Sequence, residues 1–161
     1  YPEMIRVAGG IPVPLPCSPE NDFVPDPAEM EKMVTPKCRA IVINSPSNPT
    51  GAVIPTSRLK EMATLAEKHD LWIIADEIYE DLVYGETEYQ SFVAAAPDAA
   101  DRTILASGVS KTYAMTGWRI RWAAGPKKDK EVLDLLDPSA GHGGCSSVSM
   151  VAALGWPAPP F

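Results

Sequence analysis

The chain has 161 residues, of which 45% are hydrophobic and 22% charged, a composition typical of one globular domain. Its formal net charge is -7 and no basic block occurs, which disfavours binding to nucleic acid. No apolar run is long enough to cross a bilayer, and three widely spaced cysteines without a CxxC motif disfavour a disulfide framework or a zinc site. We therefore expect a cytoplasmic protein without a bound metal.

Helical patterns and apolar β-branched runs alternate along the middle of the chain. Of the 17 prolines, eight precede residue 37 and three lie in the last five residues, which predicts loops and edge segments at both ends. Asp26 is a suitable N-cap for a first helix, with Pro27 at its first position. The predicted helices cover residues 26–34, 56–69, 127–136 and 146–154. The predicted strands cover residues 39–44, 71–75, 103–106 and 121–124. This alternation predicts an α/β domain with a mostly parallel sheet.

Polar side chains follow three of the predicted strands. Asn48 lies in the loop NSPSNPTG after the first strand, Asp76 follows the second, and Ser107 to Lys111 follow the third. Since ligands of such sheets bind beyond the carboxyl ends of the strands, these residues are expected to converge on one site. Taken singly, Asp76 is equally explained as a helix N-cap or a surface ion-pair partner, and Asn48 as a turn residue.

Tyr79 lies three residues after Asp76, and a helix there would place the two side chains on one side. The acidic residues around it lack the regular spacing of a calcium-binding loop, so they are interpreted as a solvated face. These residues are Glu77, Glu80, Asp81, Glu86 and Glu88.

Lys111 and Arg119 are the two cations of the stretch SGVSKTYAMTGWRI. Lys111 has small and hydroxyl-bearing neighbours, which suit a partly buried, nucleophilic amine better than the solvated lysine that is otherwise commonest. Arg119 suits a phosphate dianion, yet neither a P-loop nor a GxGxxG motif occurs. A lysine, a carboxylate, a phenol, an amide and an arginine together match the aldehyde, ring nitrogen, phenolate oxygen and phosphate of pyridoxal 5'-phosphate.

The motifs SNPTG, DEIYEDLVYGE and SGVSKTYAMTGWRI resemble those of fold-type I pyridoxal-phosphate enzymes, and most closely class I/II aminotransferases of the prokaryotic aspartate aminotransferase-like group. The resemblance implies a three-layer αβα fold and transamination of an amino acid with a 2-oxo acid, through a Schiff base on Lys111. It implies that Asp76 pairs with the pyridine nitrogen, and that Tyr79 and Asn48 bind the phenolate oxygen. The phosphate ligands implied are Arg119, Ser110 and Ser107.

Two positions depart from the family pattern: Gly108 stands where some relatives have a serine, and Arg121 where a glycine is usual. The resemblance also implies that residues 1–161 are the central part of the cofactor-binding large domain, without the N-terminal segment and the C-terminal small domain. We therefore expect this piece alone to be inactive or unstable, and the full-length protein to be a homodimer with no nucleic-acid or membrane partner.

Three other functions are compatible with the same motifs. A lyase of this fold shares the cofactor residues, and an aminotransferase-like effector domain of a transcription regulator would carry its DNA-binding part outside this chain. A non-catalytic scaffold is the third, although it would not need a lysine that forms a Schiff base. Substrate-binding residues would separate these functions, and the resemblance implies that most of them lie outside this chain.

Overall fold

The computed structural model of the protein describes residues 1–126. Within this range one sheet is formed by β1 (Ala40–Asn44), β2 (Trp72–Asp76), β3 (Thr103–Gly108) and β4 (Arg121–Ala124), in that order. The first three strands are parallel, and β4 runs antiparallel to β3. The predicted α/β architecture with a mostly parallel sheet is therefore confirmed. The helices predicted over residues 127–136 and 146–154 lie outside the described residues.

The α-helices of the described range are α1 (Pro2–Val7), α2 (Pro27–Met33), α3 (Thr56–Lys68) and α4 (Phe92–Ala95). As predicted, α2 begins after Asp26, whose carboxylate accepts a hydrogen bond of 2.9 Å from the Ala28 amide. The prediction of loops throughout the proline-rich N-terminal region was wrong at α1. Its Pro2 lies in the first turn, where a helix needs no N–H donor. Only four residues form α4, too few to show a helical period in the sequence.

The main hydrophobic core covers one face of the sheet. Side chains that alternate along β1 and β2 pack against α3 and α4, because successive residues of a strand point to opposite faces. The stripe predicted for residues 56–69 is confirmed: Leu59, Met62, Ala63 and Ala66 are all buried. Phe92, at the start of α4, is 2% exposed, and burial of such a ring stabilises the fold by roughly 1.5–3 kcal/mol. This packing supports the sheet whose carboxyl edge carries the predicted site.

The strand register places the predicted site residues at one edge. Asn44 is paired with Asp76, and Asp76 with Ala106, at the carboxyl ends of the parallel strands. β3 extends two residues further than predicted and ends at Gly108, which is paired with Arg121 of β4. Ser107 is therefore a strand residue, whereas Ser110 and Lys111 lie in the turn that follows.

Candidate active site

The loop after β1 is tied to the end of β2 through Asn44. Its side-chain amide donates a hydrogen bond of 3.1 Å to the Asp76 carbonyl, and its side-chain oxygen accepts one of 2.9 Å from the Asn48 backbone amide. This double anchor fixes the start of the SNPTG motif above the sheet edge. The side chain of Asn48, which is exposed, is thereby presented toward the segment that follows β2.

The Asp76 carboxylate lies at the end of β2 and accepts two hydrogen bonds. One comes from the backbone amide of Ile78 at 3.2 Å, and the other from the hydroxyl of Tyr1. Burial and the neighbouring Asp76 carboxylate raise the pKa of the Tyr1 hydroxyl well above its usual value, so this group stays a neutral donor. An O–H donor already faces Asp76, and the same oxygen could instead accept from a protonated ring nitrogen.

Tyr79 is brought next to Asn48 and Lys111. The Asn48 side-chain amide donates to the Tyr79 hydroxyl across 3.0 Å, and the Lys111 ammonium lies 5.6 Å from the centre of the Tyr79 ring, within cation–π range. The helix suggested for this segment is absent: residues 78–81 form a turn, in which the Glu80 amide bonds to the Glu77 carbonyl at 2.9 Å. The turn still directs Tyr79 to the predicted side of the edge.

Lys111 is more exposed than the sequence predicted. Its flanking residues suggested partial burial, but the residue is exposed within the described chain. Its ammonium group nevertheless lies over the Tyr79 ring. The predicted lysine, phenol and amide thus lie together, with Asp76 on the same edge.

The predicted phosphate ligands have more varied surroundings. Arg119 is exposed, has a left-handed φ of 55°, and donates to the Thr116 carbonyl at 3.5 Å. Ser110 is half-buried in the turn after β3. Ser107 is 4% exposed, and its hydroxyl donates to the Glu80 carboxylate at 2.7 Å. A phosphate at Ser107 would have to compete with Glu80 for this hydroxyl.

Steric crowding explains why a glycine stands at position 108. A Cβ atom there would lie 3.0 Å from the Arg121 Cα and 2.8 Å from the Ile120 carbonyl oxygen, and the second distance is shorter than real Cβ contacts. A serine at this position therefore does not fit this backbone. Arg121 itself is exposed, and nothing in the structure explains why an arginine stands there.

Sequence reasoning missed several residues around the site. Glu77 was interpreted as part of a solvated acidic face, yet it is 3% exposed, whereas Glu86 and Glu88 are exposed as predicted. The signal was present in the alternation along β2, since Ile73 and Ala75 are buried and Glu77 continues their period of two. For Tyr1, which lies 75 positions from Asp76, no local pattern could have shown the contact.

Residues 1–126 contain neither a candidate metal site nor a candidate membrane-spanning helix. No group of three or more His, Cys, Asp or Glu side chains there is arranged to hold a metal ion. Nor does this range contain a helix with the length and apolar character needed to cross a membrane.

Comparison with known proteins identifies the family. Residues 1–156 match the family model described as aminotransferase class I and II. The chain therefore belongs to the aminotransferase class I and II family, whose members are transferases that depend on pyridoxal 5'-phosphate. This confirms the family and the cofactor that the sequence motifs predicted.

Individual relatives extend this result. The chain is 48% identical over 128 residues to an aspartate/prephenate aminotransferase of Thermus thermophilus, covering 80% of this chain and 32% of the relative. It is 39% identical over 155 residues to an aspartate aminotransferase of Geobacillus stearothermophilus, covering 96% of this chain and 39% of the relative. The solved structure of Thermus thermophilus aspartate aminotransferase with maleate is similar with a TM-score of 0.78 and 45% identity, covering 84% of this chain and 35% of that chain.

These likenesses confirm the predicted fold class, a partial αβα architecture with a mostly parallel sheet. The chain spans about a third of the length of the curated relatives that it matches.

Proposed function

We propose that residues 1–161 are the central part of the cofactor-binding large domain of an aminotransferase. The full-length protein would transfer an amino group between an amino acid and a 2-oxo acid. The observation that carries this proposal is the meeting of Asn48, Tyr79 and Lys111 beside the Asp76 edge, in a chain of this family.

The donors and acceptors at this edge fit pyridoxal phosphate. Asp76 offers a carboxylate acceptor that already receives a neutral O–H donor from Tyr1, as it would receive the N–H of a protonated pyridine ring. Tyr79 and Asn48 form a donor pair of the kind that a phenolate oxygen requires. Lys111 supplies an amine for an aldehyde, and Arg119 a guanidinium for a phosphate.

When bound, pyridoxal phosphate supplies an electron sink for the carbanion that forms at the substrate α-carbon. Asp76 would keep the ring nitrogen protonated, because its negative charge stabilises the cationic form. Tyr79 and Asn48 would donate to the ring oxygen and stabilise its charge. The amine of Lys111 would hold the cofactor aldehyde in the resting enzyme and move a proton at the substrate α-carbon during turnover.

The phosphate would be held by residues of the β3–β4 connection. Arg119 would pair with its oxygens by charge-assisted hydrogen bonds, and the hydroxyl of Ser110 would add a neutral donor. Ser107 stays a candidate third ligand, although its hydroxyl is bonded to Glu80 within the described chain.

The substrate class follows from the relatives named above. Their names favour aspartate as an amino donor and prephenate as an acceptor. None of these relatives is named as a lyase or a regulator, so transamination is preferred over those alternatives. We further propose a homodimer, which is supported by the apolar residues Met4, Val7 and Ile11, exposed by 71%, 91% and 87%. We also propose a cytoplasmic location, because three widely spaced cysteines without a CxxC motif suit a reducing compartment.

The direct test uses the full-length protein that contains this chain. It would be loaded with pyridoxal phosphate, reduced with borohydride and digested, and the labelled peptide would be identified by mass spectrometry. We expect the label on Lys111. The variant Lys111→Ala should lose both the label and the conversion of aspartate to its 2-oxo acid. Lys37→Ala, which removes another exposed lysine, should retain both.

A label on any other lysine would refute the assignment of Lys111. Cofactor binding with elimination products, rather than an amino group transferred to the 2-oxo acid, would replace transamination with the lyase alternative. In the same assay the 161-residue chain alone should show no turnover.

A further inference from the structure

Glu77, which directly follows Asp76, is a buried carboxylate with fixed partners. Its Oε1 accepts a hydrogen bond of 2.7 Å from the Phe92 backbone amide and one of 3.1 Å from the Ser91 hydroxyl. The residue is only 3% exposed, and a carboxylate at such a position is costly unless it is hydrogen-bonded. Through these two bonds Glu77 joins the end of β2 to the start of α4, fifteen positions further along the chain.

The backbone of Glu77 is held as firmly as its side chain. Its amide donates to the Ala106 carbonyl of β3 at 2.8 Å, and its carbonyl accepts from the Glu80 amide at 2.9 Å. The second of these bonds closes the turn that carries Tyr79. Glu77 is therefore the residue at which β2, β3, the Tyr79 turn and the start of α4 all meet.

Glu77 also lines a small cavity beside the end of β2. A cavity of about 10 Å³ is lined by Glu77, Tyr89 and Asp76, among other residues. Glu77 Oε2 and the Tyr89 hydroxyl are both buried, and neither has a hydrogen-bond partner of good geometry within the described part of the chain. Burial and the charge of Glu77 raise the pKa of the Tyr89 hydroxyl far above its usual value, so a neutral phenol faces the carboxylate.

We propose that Glu77 is a positioning residue for the cofactor site, holding Asp76 and the Tyr79 turn in place by anchoring both to Ser91 and Phe92. This inference rests on the proposed function, because it concerns how the same two side chains are oriented. Asp76 precedes Glu77 by one residue and Tyr79 follows it by two, so a shift of the Glu77 backbone moves both groups. Charge stabilisation depends on such preorganisation, since the donors must not need to rearrange when the cofactor charge develops.

The test measures two properties of the full-length protein loaded with pyridoxal phosphate: the cofactor dissociation constant and the pH titration of its visible absorbance. In Glu77→Leu we expect cofactor binding about tenfold weaker, equivalent to roughly 1.4 kcal/mol. We also expect the titration to move to higher pH, because a displaced Tyr79 donates less well to the ring oxygen and so favours its protonated form. Glu86→Gln, an exposed carboxylate of the same acidic segment, is the matched control and should leave both properties unchanged.

The conservative variant Glu77→Gln keeps an oxygen for Ser91 and Phe92 and turns an amide toward Tyr89. It should therefore restore most of the affinity and the original titration. Weaker binding in Glu77→Leu with an unmoved titration would mean a role in stability alone and would overturn the proposal, as would unchanged binding.

If Glu77→Leu does not fold, Ser91→Ala tests the proposal in its place. This variant removes one hydrogen-bond donor to Glu77 and leaves the carboxylate itself unchanged. A smaller change in the same direction in both properties supports the proposal, and wild-type values overturn it. Failure of the proposed function is recognised separately, since the wild-type protein would then not bind the cofactor at Lys111.

Discussion

Asn48 donates a hydrogen bond to the Tyr79 hydroxyl across 3.0 Å, although the two residues lie 31 positions apart on loops that follow different strands. The contact exists because β1 and β2 are parallel neighbours and their carboxyl ends meet at one edge. Asn44, anchored to the Asp76 carbonyl, holds the Asn48 loop at the height of Tyr79. The pair is therefore set by the sheet before any ligand binds.

This pair should behave as a coupled unit in catalysis by the full-length protein. Tyr79→Phe and Asn48→Ala should each lower kcat/KM about tenfold, and the double variant should lose less than the product of the two effects. We expect a coupling energy of roughly 0.5–3 kcal/mol from the double-mutant cycle, the range for residues in direct contact. Tyr84→Phe, which alters a tyrosine that is 79% exposed, is the control. Independent effects of the two substitutions would contradict a functional pair.

Gly108 should tolerate no side chain. Gly108→Ala places a Cβ 2.8 Å from a backbone oxygen, and overpacking of this kind costs about 1–3 kcal/mol of unfolding free energy. Gly117→Ala is the matched control, because a Cβ there meets nothing within 4 Å. Denaturant unfolding of both variants measures the difference. Equal stability would show that β3 and β4 separate easily at the Gly108–Arg121 pair.

Ser107 and Arg119 should respond differently to truncation. Ser107→Ala leaves the Glu80 carboxylate without its 2.7 Å donor, so we expect a loss of stability of about 1–3 kcal/mol with little change in cofactor affinity. Arg119→Ala removes a charged donor and should weaken cofactor binding by roughly 1.5–3 kcal/mol while stability changes little. Thermal unfolding of the cofactor-free protein and cofactor titration separate the two effects. A large affinity loss in Ser107→Ala would instead make its hydroxyl a phosphate ligand.

The burial of Glu77 predicts a pH dependence of stability. Burial raises the pKa of this carboxyl above its ordinary value of 4.5, although hydrogen bonds from the Phe92 amide and the Ser91 hydroxyl oppose the shift. Because the folded state then holds the proton more tightly than the unfolded state, the stability contribution is complete below pH 4.5 and is lost as the pH rises through the raised value.

Glu77→Gln, which does not ionise, should remove this component. The stability of the wild type relative to Glu77→Gln should therefore fall as the pH rises from about 4 towards neutrality. Urea unfolding of the cofactor-free protein at several pH values measures the free energy of unfolding of both proteins. Glu86→Gln is the control, and its free energy of unfolding should change with pH in parallel with that of the wild type. A wild type that gains stability relative to Glu77→Gln over this range would reverse the predicted sign.

Much of the fold was predictable because the local signals agreed with the packing. The N-cap at Asp26, the buried stripe of α3 and the apolar strands each reflect a preference that the tertiary structure also satisfies. Site residues at strand ends were predictable for the same reason, since the parallel sheet brings Asn48 and Tyr79 to one edge.

The remainder depends on contacts between distant parts of the chain. The environment of Glu77 is formed by Ser91 and Phe92, and the partner of Ser107 is Glu80, which no periodicity links to it. The bond from Tyr1 to Asp76 joins the first residue of the chain to the end of β2. Such long-range pairs determine which acidic residues are solvated and which are structural. Composition alone does not distinguish these two kinds of acidic residue.

The reversal of direction at β4 has a geometric consequence. Because β4 returns antiparallel to β3, the excursion of residues 109–120 leaves and re-enters the sheet at one edge, with Lys111 near its start and Arg119 near its end. A parallel crossover would have carried residue 119 to the far end of the sheet. The length of this connection therefore influences the distance between the Lys111 amine and the Arg119 guanidinium. An inserted or deleted residue would change this distance, and with it the size of the ligand that the two groups can bind together.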